Sequence, residues 1–583
     1  MDKHAVAHAL EEMAGLLDLK GENAFKVRAF QNAARTVADY TGDLEADVAS
    51  DAFADVKGIG PATLEMVREC IATGRSSALD ALRAEVPAGL VQMLRISGMG
   101  SAKVRAVQDQ LGITTLDGLE AAARDGRLAG LKGFGAKTAA KILKGIEFLR
   151  RTAGLRLVHH GDRRAAVLAG ALDALPGVER VEVAGDLRRR LEVVRDFDLV
   201  AEVVPVPEGR GPGAASAPSA LGETLVRGGA ATAVVSADAA GFRVRLDDGA
   251  TATVTCAPAS RFGHALVRAT GSAAHLEHLA RRAAERGLTL DAAGLRRGAA
   301  EVPCPDEASL FAALGLAWIP PEVREGTDEV ARAGAGPLPR LVERGDLRGL
   351  LHCHTTYSDG TNSVAELAEA CRALGYAWIG ITDHSVAAAY AGGLSPERVA
   401  KQHAEIDAWN RASPGLRILK GIEADILADG QLDYGPEVLG RFDFVIGSVH
   451  SRFDLDEETM TARVLRALDD PHLTILGHPT GRLLLTRDPY AVDMQRVIAR
   501  AAERGVAIEI NADPQRLDLD WRLCRQARDA GVAISIGPDA HSLAGLANVD
   551  IGIGIARKGW LTAEDILNTK DAEGFAAYAK RRR

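Results

Sequence analysis

Nine residues in the C-terminal part of this 583-residue chain are of types that bind divalent cations: His352, His354, Asp359, His384, Glu423, His450, His478, Asp539 and His541. Imidazoles and carboxylates together suit zinc, manganese or iron. In the triplet His352-Cys353-His354, the two-residue period of a strand predicts both imidazoles on one face and the thiol on the other, so that they share an ion. Asp539 and His541 repeat that spacing. One four-coordinate ion needs fewer donors, so the set implies two to three ions bridged by a carboxylate such as Glu423. Clustered divalent ions suit phosphate ester hydrolysis, because they polarise phosphoryl oxygens, supply hydroxide at neutral pH and hold the leaving oxygen. Taken singly, a histidine after a strand is more often a core or loop residue. A donor at the end of nearly every strand is not expected by accident.

The elements that must position these donors are apolar runs separated by helical stretches: LRGLLH, AWIGITDH, LRILKGIE, FDFVIGSVH, LTILGH, VAIEIN and VAISIGPDAH. Alternating strand and helix predicts parallel strands, enough of them to close a barrel with its chemistry at the C-terminal strand ends. Residues 1 to about 155 read instead as short amphipathic helices joined by glycine turns. Three of those turns carry a glycine pair, at Gly58 and Gly60, Gly98 and Gly100, and Gly133 and Gly135. Such a pair lets backbone NH groups at a helix N-terminus approach a phosphate without reading sequence. From about Arg156 strand-like segments appear (VERVEVAGD, FDLVAEVV, FRVRLDDG, TATVTCAP), with a flexible loop expected at PEGRGPGAASAPSALG. A helical and turn-rich section runs to about Arg324, and ARAGAGPLPR reads as a linker. Asp196 and Asp198, two apart on a predicted strand, face one side and suit magnesium or manganese.

Composition limits how nucleic acid is held. The net charge of -9, with pI near 6.0, excludes bulk electrostatic coating of DNA, so contacts must be local. The basic clusters at Arg150 and Arg151, Arg163 and Arg164, Arg188 to Arg190, and Arg281, Arg282 and Arg286 read as solvated faces. A 47% hydrophobic content fills several cores. Six scattered cysteines without a CxxC pair read as reduced thiols. Neither a leader pattern nor a membrane-length apolar run is found, and a cytoplasmic monomer is expected.

The run HCHTTYSDG, followed in order by TDHS, GIEADIL, SVHS, GHPTGR, INADPQRLDLD and PDAHS, closely resembles the PHP (polymerase and histidinol phosphatase) domain. That resemblance implies a distorted seven-stranded β/α barrel with a trinuclear centre, and all nine donors match the family's ligand positions by type. The glycine turns resemble helix-hairpin-helix motifs. The opening LEEMAGLLDLKGENAFKVRAFQNAARTV resembles the small N-terminal domain of family X DNA polymerases, and the likeness continues through AGDLRRRLEVVRDFDLV, RFGHALVRATGSAAHL and GLAWIPPEVREG. It covers essentially the whole chain and points to bacterial family X polymerases fused to a PHP domain, which serves there as a 3'-to-5' exonuclease and repair phosphodiesterase. The implied organisation is an N-terminal lyase-like helical domain (1–80), a helix-hairpin-helix domain (81–155), an α+β palm (156–270), a thumb (271–330), a linker (331–348) and the barrel (349–583).

Against that family the palm departs from pattern. Asp196 and Asp198 match two of its three carboxylates, but Thr253 stands where the third is expected. A hydroxyl adds no charge to hold a metal pair and is too weak a base for a role worth about 10²- to 10⁴-fold. The resemblance puts Gly185 and Arg188 at the nucleotide phosphates, yet Asp186 sets a negative side chain beside them. Arg268 and Ala269 replace an aromatic pair. Met66 replaces the lyase lysine, leaving no amine to attack an abasic sugar. The expectation is an active phosphodiesterase acting on gapped, nicked or 3'-recessed DNA, with polymerisation weak or absent and deoxynucleotides poor ligands. The alternatives are an active gap-filling polymerase, in which another carboxylate such as Asp248 substitutes, and a small-molecule phosphatase of the histidinol-phosphatase type.

Overall fold

The computed structural model describes residues 3–38, 40, 44–96, 98–204, 217–413 and 415–581. It divides into two compact units, Met1–Ala153 and Gly154–Arg583.

The first unit is all helix, and one apolar cluster runs from Val6 to Leu149, across the division expected near residue 80. Its three glycine turns share one geometry. The carbonyls of Val56, Ile96 and Leu131 accept from the NH groups of Ile59, Met99 and Phe134 at 3.1, 2.9 and 3.1 Å. The residue before each donor is Gly58, Gly98 or Gly133, with φ of 101°, 81° and 88°. At Gly58 and Gly133 these are type II turns, whose third position needs positive φ and hence glycine, and Gly98 shares that φ. Gly60, Gly100 and Gly135 follow as extended N-caps of Pro61–Thr73, Ser101–Leu111 and Ala136–Thr152.

The second unit begins with a five-stranded sheet made of β1 (Val178–Val183), β2 (Phe197–Val203), β3 (Ala233–Asp238), β4 (Gly241–Arg245) and β5 (Thr251–Ala257). Its order is β1-β2-β5-β4-β3, with only β2 and β5 parallel. The period of two sorts its faces. Leu199, Ala201, Ala252 and Val254 pack with Leu168 and Leu225, whereas Val200 and Ala257 pack with Phe262 and Leu266 of the helix Phe262–Thr270. The loop expected over residues 207–222 lies outside the described residues up to 216. From Pro218 the chain is helical instead (Pro218–Arg227), with proline in its first turn and Leu221 and Leu225 buried.

Helices Ala273–Glu285 and Glu307–Ala313, with a small three-stranded sheet, form the next layer around Leu279, Phe311 and Ile319. The stretch expected to be a linker, 331–348, includes buried residues. Val342 is fully buried and its NH donates to Leu561 O at 3.0 Å.

Seven parallel staves close the final barrel: β6 (Gly349–Cys353), β7 (Trp378–Ile381), β8 (Arg417–Lys420) continued after a break as β9 (Glu423–Asp425), β10 (Ile446–Ser448), β11 (Ile475–Leu476), β12 (Ala507–Asn511) and β13 (Ile534–Gly537). Single bridges join His384 to Glu423 and Cys353 to Ala540, sealing the two gaps between its sheets. Closure leaves no open sheet edge. Barrel and palm sheet share an apolar cluster. At their seam Glu192 receives Arg482 at 3.5 Å and Arg522 at 3.3 Å, and the buried ammonium of Lys558 donates to Arg189 O at 3.1 Å.

Candidate metal centre

All nine donors meet at the C-terminal mouth of the barrel. Glu423 is its hub. One carboxylate oxygen lies 3.0 Å from His478 Nε2, 3.3 Å from His352 Nε2 and 3.4 Å from His450 Nε2, and the other lies 2.9 Å from His384 Nδ1 and 3.7 Å from His354 Nε2. Asp539 Oδ1 stands 3.3 Å from His354, 3.6 Å from His352 and 3.7 Å from His541. Asp359 completes the ring at 3.4 Å from His541 Nε2 and 3.7 Å from His384 Nε2. Three groups are compact enough to hold an ion: His354, Asp359, His384 and His541; His352, His354 and Asp539; and His384, Glu423 and His450.

The donors fit cations better than they fit one another. His352 Nε2, both nitrogens of His354, His384 Nδ1 and Glu423 Oε2 are buried without any hydrogen bond. Burying polar atoms unpaired costs about 1–3 kcal/mol each, so their convergence needs an occupant that all of them can face. Electrostatics agree. Burial would lower the pKa of His352, but the charges of Glu509, Asp539 and Glu423 outweigh it and raise it well above the usual imidazole range. Burial, with His541 and His384 adding to it, pushes His354 down to about 3. Burial and Arg516 do the same to His478, also to about 3. Those two rings are neutral and free to ligate.

Backbone strain concentrates here. His352, His478 and Asp539 have φ of 60°, 24° and 51°, a region that residues other than glycine enter at a cost of about 1–3 kcal/mol. This corrects the strand-period argument for the HCH triplet. The pairing of β6 shifts register between Leu350 and Cys353, and His354 lies beyond the strand. The left-handed turn at His352, and not simple alternation, aims both imidazoles inward. Asp539 and His541 likewise follow the end of β13 in a loop.

A second layer that sequence reasoning missed orients the donors. Glu509 Oε1 lies 2.6 Å from His352 Nδ1, leaving Nε2 to face inward, and Glu509 Oε2 accepts from His478 NH at 2.9 Å. Gly537 makes room for it, since a Cβ there would stand 2.1 Å from Glu509 Oε1. Asp425 lies 2.5 Å from His450 Nδ1. Asn511 donates to Asp539 Oδ2 at 2.9 Å, and Asp383 fastens the loop leading to Asp359 by accepting from Thr355 NH and Thr355 Oγ1, both at 2.7 Å. Arg516 Nε stands 3.5 Å from Asp539 Oδ2, bringing a cation to the same mouth. The motif INADPQRLDLD contained Asn511 and Arg516, but nothing in it told which polar residues turned inward.

In the palm, Asp198 lies on the face of β2 covered by the helix Phe262–Thr270, and Asp196, just before the strand, accepts from Thr251 NH at 3.2 Å. Burial, with Asp186 and Asp196 nearby, pushes Asp198 up to about 6. Gly185, at φ 63°, abuts this residue so closely that a Cβ would stand 2.2 Å from Asp198 Oδ2. A cleft of ≈ 680 Å³ is lined by Asp198, Arg243, Thr253, Arg268 and Ala269 among others. Asp248 is engaged elsewhere, paired with Arg156 at 3.0 Å and capping Ala250 NH at 2.9 Å. Arg188, expected at nucleotide phosphates, is instead gripped by both oxygens of Glu307 at 2.6 and 3.0 Å, because that buried carboxylate needs a counter-charge. Met66 is buried in the first unit's core. At five of the six turn glycines, Gly60, Gly98, Gly100, Gly133 and Gly135, a Cβ would meet open space; only Gly58 is crowded, by Thr36.

Family models match in sequence order: a helix-hairpin-helix domain over residues 1–76, a SAM-like helix-hairpin-helix tandem over 91–147, the DNA polymerase beta thumb over 265–325 and the PHP domain over 351–513. The chain is 34% identical to a DNA polymerase/3'-5' exonuclease PolX of Bacillus subtilis (strain 168), over 100% of both chains. A probable phosphatase of Thermoanaerobacter sp. (strain X514) is 28% identical over 29% of this chain and 70% of its own length, and one from Acetivibrio thermocellus 29% identical over 40% and 95%. Full-length identity of that order, together with helix-hairpin-helix, thumb and PHP segments in one chain, means that this protein belongs to the family X DNA polymerases that carry a PHP domain.

Proposed function

We propose that the barrel is a metal-dependent 3'-to-5' exonuclease and repair phosphodiesterase, and that the palm has lost most or all of its polymerase activity. The observation that carries the first part is Glu423, one buried carboxylate facing five imidazoles, its second oxygen making no hydrogen bond. All nine donors would hold two to three manganese, zinc or iron ions, which polarise a phosphoryl oxygen, activate water and offset charge on the leaving oxygen. Glu509 and Asp425 fix the His352 and His450 rings, Asn511 and Arg516 orient Asp539, and Arg516 offers a phosphate its own cation. In the reaction a water oxygen adds to phosphorus, the bond to the 3' oxygen breaks, that oxygen takes up a proton, and a nucleoside monophosphate leaves.

The second part rests on Thr253 beside Asp198 and on Asp248 being held by Arg156. Magnesium or manganese at Asp196 and Asp198 would lack its third carboxylate. The helix-hairpin-helix turns would seat a DNA backbone on their open glycines. The six-part division of the chain into lyase-like, helix-hairpin-helix, palm, thumb, linker and barrel regions belongs to the same reading. The test is product analysis on a 3'-recessed duplex with metal content measured in parallel. Release of mononucleotides that disappears in His352→Ala and Asp539→Ala supports the reading, and hydrolysis of histidinol phosphate with oligonucleotides untouched refutes it.

A further inference from the structure

Tyr390 stands at the rim of the metal centre with 72% of its surface exposed, in a chain whose aromatic content is only 4%. The loop that carries it is tightly framed. Ser385 pairs with Leu394, Ala387 NH donates to Asp433 at 2.8 Å, and Arg398 donates to Gly392 O at 2.6 Å. A Cβ on Gly393 would stand 1.9 Å from Ser385 O, so the neck of the loop is as narrow as a chain allows. A large ring held in water contributes little to folding, and its place beside the metal centre suits contact with a substrate.

What surrounds the ring points to that substrate. Its centroid lies 6.2 Å from the ring of His384, at 55°. Arg516 stands 3.5 Å from Asp539 at the same mouth. An exposed aromatic ring and a cation beside a candidate hydrolytic centre suit a terminal nucleotide, by stacking on its base and pairing with its phosphate.

We propose that Tyr390 stacks on the base of the 3'-terminal nucleotide while the metal centre and Arg516 hold the phosphate on its 5' side, so that the site tells an end that carries a base from one that lacks it. This rests on the nuclease reading above. It is specific to the side chain at position 390 and separable from the metal ligands.

The experiment uses the full-length, manganese-loaded protein and two single-stranded oligonucleotides that differ only at the 3' end, one finishing in dA and the other in an abasic tetrahydrofuran residue. The wild type is expected to favour the base-bearing end by about tenfold in kcat/KM. Tyr390→Ala should abolish that preference while cutting the abasic end within about twofold of wild type, and Tyr390→Trp should retain it. Because the residue is exposed, the substitution is not expected to disturb folding. A binding arm on metal-free protein follows a 3'-terminal 2-aminopurine, whose fluorescence should be quenched by wild type and not by Tyr390→Ala. A preference that survives in Tyr390→Ala, or quenching that is equal in both, overturns the proposal. If wild type leaves both oligonucleotides intact, the nuclease reading falls, and the quenching comparison still decides whether the base subsite exists.

Discussion

Thr253 and Asp198 are direct partners in the parallel pairing of β5 with β2, so a hydroxyl stands beside a carboxylate on the one face of the palm that opens to a cleft. An aspartate at position 253 would stand next to Asp198 in that register. Thr253→Asp is therefore expected to raise manganese-dependent primer extension on gapped DNA by about tenfold or more, the lower range for a supplied metal ligand or base. A variant that extends no better than wild type would count against Thr253 as a defect of the site, and Asp186 would be the next position to change.

Glu509 holds His352 through Nδ1 and His478 through its backbone NH. Loss of such an orienting carboxylate typically lowers metal affinity or activity about 10- to 100-fold. Glu509→Gln should fall in that range for exonuclease activity, while Glu423→Gln should lower it more than 10³-fold because the shared bridge is lost. Chelation should silence the wild type, and readded manganese or zinc should restore it. Equal metal content and equal activity in Glu509→Gln and wild type would remove the carboxylate from the mechanism.

Gly135 caps the helix Ala136–Thr152 with φ of -83° and open space where a Cβ would stand. Aspartate is among the best N-caps, so Gly135→Asp should keep or slightly raise thermal stability. The same carboxylate would repel a phosphate approaching the turn. We expect DNA affinity to drop about tenfold with no fall in Tm, a combination that misfolding cannot produce. Unchanged affinity in a filter-binding or anisotropy titration would show that this turn does not touch the backbone.

Glu307 is buried between Arg188 and Arg324, which it meets at 2.6 to 3.0 Å. Burial alone would raise its pKa; the two guanidiniums outweigh that and lower it from 4.5 to about 2. A depressed carboxylate stabilises the fold above its unfolded pKa and loses that stabilisation as pH falls through the folded one. Stability should therefore decline between pH 4.5 and 2, by roughly 3 kcal/mol from this group. Glu307→Gln should destabilise the protein at pH 7 by about 3–5 kcal/mol, since it strands two arginines, and should flatten the acid limb. Urea unfolding curves at several pH values would check both, and an unchanged acid limb would refute the assignment.

How much of this was legible beforehand differs from residue to residue. The grouping of the nine candidate donors was legible in local order, since most follow a strand run, and the three glycine pairs mark tight turns whose positive φ follows from backbone sterics. Thr253 could be marked because its strand is regular, so counting along it is enough. The inward aim of His352 was a different matter. Alternation pointed to the right outcome through the wrong cause, since a register shift and a left-handed backbone at His352 do the turning, and those arise only when β6 pairs with its neighbours.

Arg188 shows the opposite failure, because a basic residue near a phosphate motif was claimed by Glu307, 119 positions away. Glu509, Asp383, Arg516 and Tyr390 were equally silent. Types and spacings set by near neighbours and by strand period are properties of the chain itself. Which carboxylate neutralises which cation, and which ring stays in water, is decided when distant segments exclude solvent together and every buried charge must find a partner.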